Sequence, residues 1–109
     1  MQTLDMRIDD IPDPGAREFT WQGHALFLVH FQQRWYVYRN YCPHLGISLN
    51  FMPDAFFDSE GRHLICANHG ALFQVEDGRC IAGPCYLERL SAIPHRIENQ
   101  QLWIDTCAL

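Results

Sequence analysis

The sequence predicts an all-β fold, an antiparallel β-sandwich or barrel, and three observations carry that expectation. Short runs rich in aromatic and β-branched residues recur along the chain, as at 24–31 and 35–39. Gly, Pro and acidic-Gly turn signals separate them. Nowhere does an apolar set keep a 3.6-residue period long enough for a helix.

Within residues 1–18, Ile11-Pro12-Asp13-Pro14-Gly15 carries two prolines that fix φ and withhold backbone donors, so this segment reads as a surface connection. Residues 16–21 form a short strand, and Gln22-Gly23 turns into the apolar strand 24–31. Gln32-Gln33-Arg34 reverses the chain into 35–39, and this hairpin delivers the chain to Cys42. Residues 63–66 read as a short strand ending on Cys66. Beyond Gly70, 72–75 resumes a strand, Glu76-Asp77-Gly78 is a tight turn, and 79–81 is the returning arm. Ala82-Gly83-Pro84-Cys85 turns again, and 90–98 pairs with 101–105 around Asn99-Gln100.

A chain of 109 residues is one domain by length, 1–109, small enough to gain from an internal staple such as a metal centre. With a formal net charge of −5 and no Lys/Arg cluster, it lacks the footprint of a nucleic-acid binder. No signal-peptide pattern opens it and no uncharged apolar stretch approaches the roughly 20 residues of a membrane span, so a soluble, cytoplasmic protein is expected. Five cysteines, an odd number with no secretory signal, point to thiols or metal ligands rather than a disulfide framework.

Two of the five sit in a paired motif. Cys42-Pro43-His44-Leu45-Gly46 and Cys66-Ala67-Asn68-His69-Gly70 each offer one thiolate and one imidazole. Together Cys42, His44, Cys66 and His69 supply two sulfur and two nitrogen ligands, the donor set of a [2Fe–2S] centre in which two His replace two Cys on one iron. Structural zinc is the alternative for such a set. It usually shows Cys-x2-4-Cys or His-x3-5-His spacing, whereas each knuckle here mixes one Cys with one His.

On these residues the chain resembles the Rieske ferredoxin family, whose pattern is Cys-x-His-x-Gly in one loop and Cys-x2-His-Gly in a later one. The resemblance continues through Asp77-Gly78 and Gly83-Pro84 to the closing hairpin, about the C-terminal two thirds of the chain. It implies a Rieske-like sandwich or barrel with a small cluster-binding subdomain, about 41–85, formed by two loops. It also implies one [2Fe–2S] cluster per chain. Cys42 and Cys66 would hold the inner iron, and His44 and His69 the outer, more exposed one through which electrons pass. Gly46 and Gly70 would let backbone amides approach the cluster sulfurs, and Gly83-Pro84 would shield it from water.

Departures from the family pattern narrow the expectation. Ile47 and Asn68 stand where high-potential members carry a disulfide, and Ala71 and Phe73 stand where those members place a Ser and a Tyr that donate hydrogen bonds. A potential near the low end of the roughly −150 to +300 mV Rieske range follows. The 21 residues between His44 and Cys66 make this segment longer than in ferredoxins of aromatic-ring dioxygenases, and its aromatic stretch through Phe56-Phe57 either covers the subdomain or docks a partner.

The resemblance implies a one-electron carrier rather than an enzyme. A flavin-dependent reductase would be its donor, an oxygenase or other redox enzyme its acceptor, with neither nucleic acid nor membrane as partner. The alternatives are a small subunit of a larger redox enzyme of the nitrite-reductase type and a zinc-stabilised interaction domain. Cys80 and Cys85 could pair as a disulfide, two buried thiols being the expectation in a reducing compartment. His24, His30, His63 and His95, with no Cys or carboxylate at ligand spacing, are expected at surface or strand-edge positions.

Overall fold

A computed structural model of the chain describes residues 2–4, 8–43, 48–50, 52, 54–67, 70–83 and 88–105. Among the described residues the elements are β1 (Gln2–Leu4), β2 (Gly15–Trp21), β3 (His24–Phe31), β4 (Arg34–Arg39), β5 (Leu64–Cys66), β6 (Ala71–Phe73), β7 (Cys80–Ala82), β8 (His95–Glu98) and β9 (Gln101–Ile104). They form three antiparallel sheets of three strands, β2-β3-β4, β5-β6-β7 and β1-β9-β8. The all-β expectation is borne out.

The sheet β2-β3-β4 is the centre of the molecule, and β3 explains why. Leu26, Phe27, Leu28 and Val29 are all fully buried, so both faces of this strand are covered. Side chains alternate across a strand. Phe27, Val29 and Phe31 therefore enter one core with Tyr38, Cys42, Leu49, Phe56, Leu64, Cys66 and Phe73. Leu26 and Leu28 enter the other, with Val37, Ile93, Leu102 and Ile104. Cys42 and Cys66 are thus on one side of the central sheet and the terminal hairpin on the other.

Three two-residue hairpins set the registers. Gln22-Gly23, Gln32-Gln33 and Asn99-Gln100 all hold positive φ at both central positions, the signature of the mirror-image turns that match strand twist. Non-glycine residues at such φ are strained. At Gln32-Gln33 the Asp13 carboxylate compensates by accepting both backbone N–H groups at 2.8 Å.

Two expectations are corrected. The segment 1–18 is not merely a surface connection, because β1 pairs with β9 and Ile8 and Ile11 are buried in the second core. The long strand expected over 90–98 is only β8, because Pro94 has no N–H to extend the ladder. Residues 88–93 instead tie the sheets together. The Cys80 amide donates to Glu88, the Leu90 amide to Gly78, the Arg39 amide to Ser91 and the Ile93 amide to Val37.

Candidate metal centre

Cys42 follows β4 by three residues, and the chain alternates sharply on the way. Tyr41 is exposed whereas Cys42 is 1% exposed. The turn is fixed from behind: the Asn40 amide donates to the Ala25 carbonyl of β3 and the Tyr41 amide to the Arg39 carbonyl, each at 2.9 Å. Asn40, the one buried polar residue among those described, uses its side chain to hold what comes next. Its Oδ1 accepts the Leu49 amide at 2.9 Å, and its Nδ2 donates to Asn50 Oδ1 at 3.1 Å.

Cys66 ends β5 and is register partner to Ala71 at the start of β6. Its carbonyl accepts the Gly70 amide at 2.9 Å, closing a tight loop in which Gly70 holds φ +70°. A Cβ on Gly70 would meet nothing within 4 Å, so conformation, not crowding, calls for glycine there. Next door, the Ala67 amide donates to the Leu49 carbonyl at 2.7 Å.

Both sulfur-bearing residues of the motif are therefore buried in one apolar core, on loops from different sheets that meet at Leu49. Two thiolates in such a setting would be unstable without a cation, and a metal centre supplies one. The two described cysteines fit such a centre. His44, His69, Gly46 and Pro84 lie outside the described residues, as do Ile47, Asn68, Cys85 and Cys107. Among the described residues no group of three or more His, Cys, Asp or Glu gathers at metal-holding distance.

The remaining positions resolve as follows. Ala71 and Phe73 are buried, at 1% and 0% exposure, and bring no side-chain donor to this core. Cys80 is buried and its Sγ donates to the Ala82 carbonyl at 3.2 Å. Phe56 is fully buried and Phe57 packs against the same core, so these rings cover the subdomain. The histidines outside the motif are half-buried rather than on the surface, and two do face carboxylates. His30 stacks on Trp35 at 4.0 Å with Asp13 at 3.8 Å, and His63 lies 3.5 Å from Asp58. Burial works against the Asp58 charge, yet the Arg62 and His63 amides and the His63 ring hold its pKa below the usual carboxylate value. Sequence reasoning passed over Asn40 and Leu49, for which the one signal was a turn-forming Asn two residues before the first Cys.

Fold and site together define an all-β scaffold that presents two buried cysteines from paired loops. The Rieske [2Fe–2S] domain model matches residues 2–94. The chain belongs to that family. It is 31% identical over 101 residues to the ferredoxin component of the alkene monooxygenase system of Xanthobacter autotrophicus, covering 91% of this chain and 76% of the relative. Its fold is that of the ferredoxin of carbazole 1,9a-dioxygenase from Nocardioides aromaticivorans IC177, with a TM-score of 0.75 at 20% identity, covering 95% and 97% of the two chains. A chain in the complex of reduced oxygenase and oxidized ferredoxin of carbazole 1,9a-dioxygenase gives a TM-score of 0.71 at 19% identity, over 90% of this chain and 86% of that one.

Proposed function

We propose that this chain is a Rieske-type ferredoxin, a one-electron carrier between a flavin-dependent reductase and an oxygenase. Cys42 and Cys66 would bind one iron of its [2Fe–2S] cluster, and His44 and His69 the other. The observation that carries this reading is the burial of Cys42 and Cys66, from separate loops, in one core, each followed in sequence by a His and a Gly. When bound, the cluster takes up and returns one electron. The protein sets its surroundings and its docking.

The two cysteines exclude water from their side of the centre, both being 1% exposed. Gly70 holds the positive φ that closes the second loop back onto the Cys66 carbonyl. Tyr41, 52% exposed beside Cys42, offers a partner an aromatic contact at the site's edge. On this reading residues 1–109 are one domain and about 41–85 its cluster-binding subdomain. An oxygenase acceptor is supported by the alkene monooxygenase component among its relatives. A cytoplasmic setting suits thiolate ligands. Among the described residues no helix is long and apolar enough to cross a membrane.

Reduction by NADH through a flavin-dependent reductase, followed by mixing with a bacterial monooxygenase component, tests the assignment. Visible bleaching that recovers on mixing supports a carrier. Isolation only in stoichiometric complex with a large catalytic subunit would contradict it. Single alanine substitutions at Cys42, His44, Cys66 and His69 should each abolish the iron chromophore.

A further inference from the structure

We propose that Asn40 is a positioning residue that holds the two cysteine loops in one register through Leu49, an inference that rests on the cluster assignment above. The path is continuous. The Asn40 amide is anchored on the Ala25 carbonyl of β3, its Oδ1 accepts the Leu49 amide, and the Leu49 carbonyl accepts the Ala67 amide. Asn40 precedes Cys42 by two residues and Ala67 follows Cys66 directly. Leu49 itself is fully buried in the core that contains both cysteines.

No strand among the described residues includes Leu49, so its amide depends on this side chain rather than on a ladder. Removing the acceptor leaves a buried donor unmet and frees Leu49 to shift, with Ala67 attached to it. The two loops would then lose their common reference.

The other arm of Asn40 differs. Its Nδ2 reaches Asn50, whose own Nδ2 donates to Glu18. This arm runs along an open groove of about 510 Å³ lined by Glu18, Asn40, Ser48, Asn50 and Met52. Water can replace contacts there. The acceptor oxygen of Asn40, and not its amide nitrogen, therefore does the positioning.

The test compares Asn40→Leu, Asn50→Ala and Glu18→Ala holoproteins by the half-time of iron release to a chelator and by the EPR linewidth of the dithionite-reduced form. With the buried Leu49 amide left unmet, Asn40→Leu should release iron roughly tenfold faster, with a broadened signal. Asn50→Ala, which leaves the Asn40 oxygen on the Leu49 amide and opens its Nδ2 to water, and Glu18→Ala, which cuts farther along the outer arm, should stay within about twofold of wild type, as expected for solvent-replaceable contacts. Wild-type half-time and linewidth in Asn40→Leu overturn the proposal. So does an Asn50→Ala protein that loses iron about tenfold faster, since the nitrogen arm would then share the positioning; this arm decides the matter even if Asn40→Leu does not fold. A wild-type protein holding no iron and sulfide overturns the carrier reading itself, and this one with it.

Discussion

Gly83 lies so close to Ala71 that a Cβ on it would stand 2.7 Å from the Ala71 Cα and 3.0 Å from its Cβ. Ala71 is the register partner of Cys66, so the turn after β7 presses on the strand pair that carries the second cysteine loop. At φ +102° the position is also one that L-residues rarely adopt. Strain and overpacking each cost about 1–3 kcal/mol, so Gly83→Ala should lose at least about 2 kcal/mol and bind less iron. Urea unfolding with iron determination checks this, and an unchanged midpoint with full iron would contradict it.

Phe56 stacks on Phe27 with ring centroids 4.1 Å apart and planes within 4°, at 0% exposure. Phe57 is half-buried and meets Phe31 at 6.0 Å. Of the two readings of this aromatic stretch, core cover prevails for both rings. Phe56→Ala should cost about 3–5 kcal/mol, whereas Phe57→Ser should cost clearly less. Denaturant midpoints of the two variants, compared at constant m, measure the difference.

Tyr38 donates its hydroxyl proton to the Val75 carbonyl and pins the β6–β7 turn to the central sheet. Burial first, then the charge of Asp77, pushes its pKa well above the ordinary phenol value. A raised folded-state pKa means stability that is fully present below about pH 10 and lost as pH rises further. Unfolding free energy should therefore fall by up to about 1.4 kcal/mol per pH unit above about pH 10. Tyr38→Phe should remove that slope while costing about 1–3 kcal/mol at neutral pH, by leaving the Val75 carbonyl unmet. Unfolding curves across the alkaline range test both parts.

Ala71 and Phe73 place methyl and phenyl groups, not donors, in the core shared with Cys42 and Cys66. With fewer hydrogen bonds to stabilise added charge, the midpoint should fall toward the lower end of the roughly −150 to +300 mV Rieske range. Ala71→Ser and Phe73→Tyr should each raise it. Protein-film voltammetry reads the shift directly, and a wild-type midpoint well above zero would refute the argument.

What the sequence made legible follows from which interactions are local. The apolar run 24–31 announced a strand, which the structure covers on both faces, and the paired Cys-His spacings announced the donor set. Turns at Gln22-Gly23 and Asn99-Gln100 were visible because two-residue gaps separate apolar runs, and the turn at Gln32-Gln33 was read one residue too long, because the polar Arg34 that opens β4 looks like part of it. β1 was not visible, because its pairing with β9 joins the two ends of the chain and three residues carry no period. The shortening at Pro94 left 88–93 free to bridge sheets, a tertiary outcome that a local pattern cannot encode. Asn40 escaped notice for the same reason, since its role depends on where Leu49 and Ala67 come to rest.

The most direct test of the central claim is iron and acid-labile sulfide analysis together with EPR of the dithionite-reduced protein. The account predicts two irons and two sulfides per chain, the content of one such cluster, and a rhombic signal whose average g lies below the free-electron value. Zinc without sulfide would contradict it, and would make Cys42, His44, Cys66 and His69 a structural site.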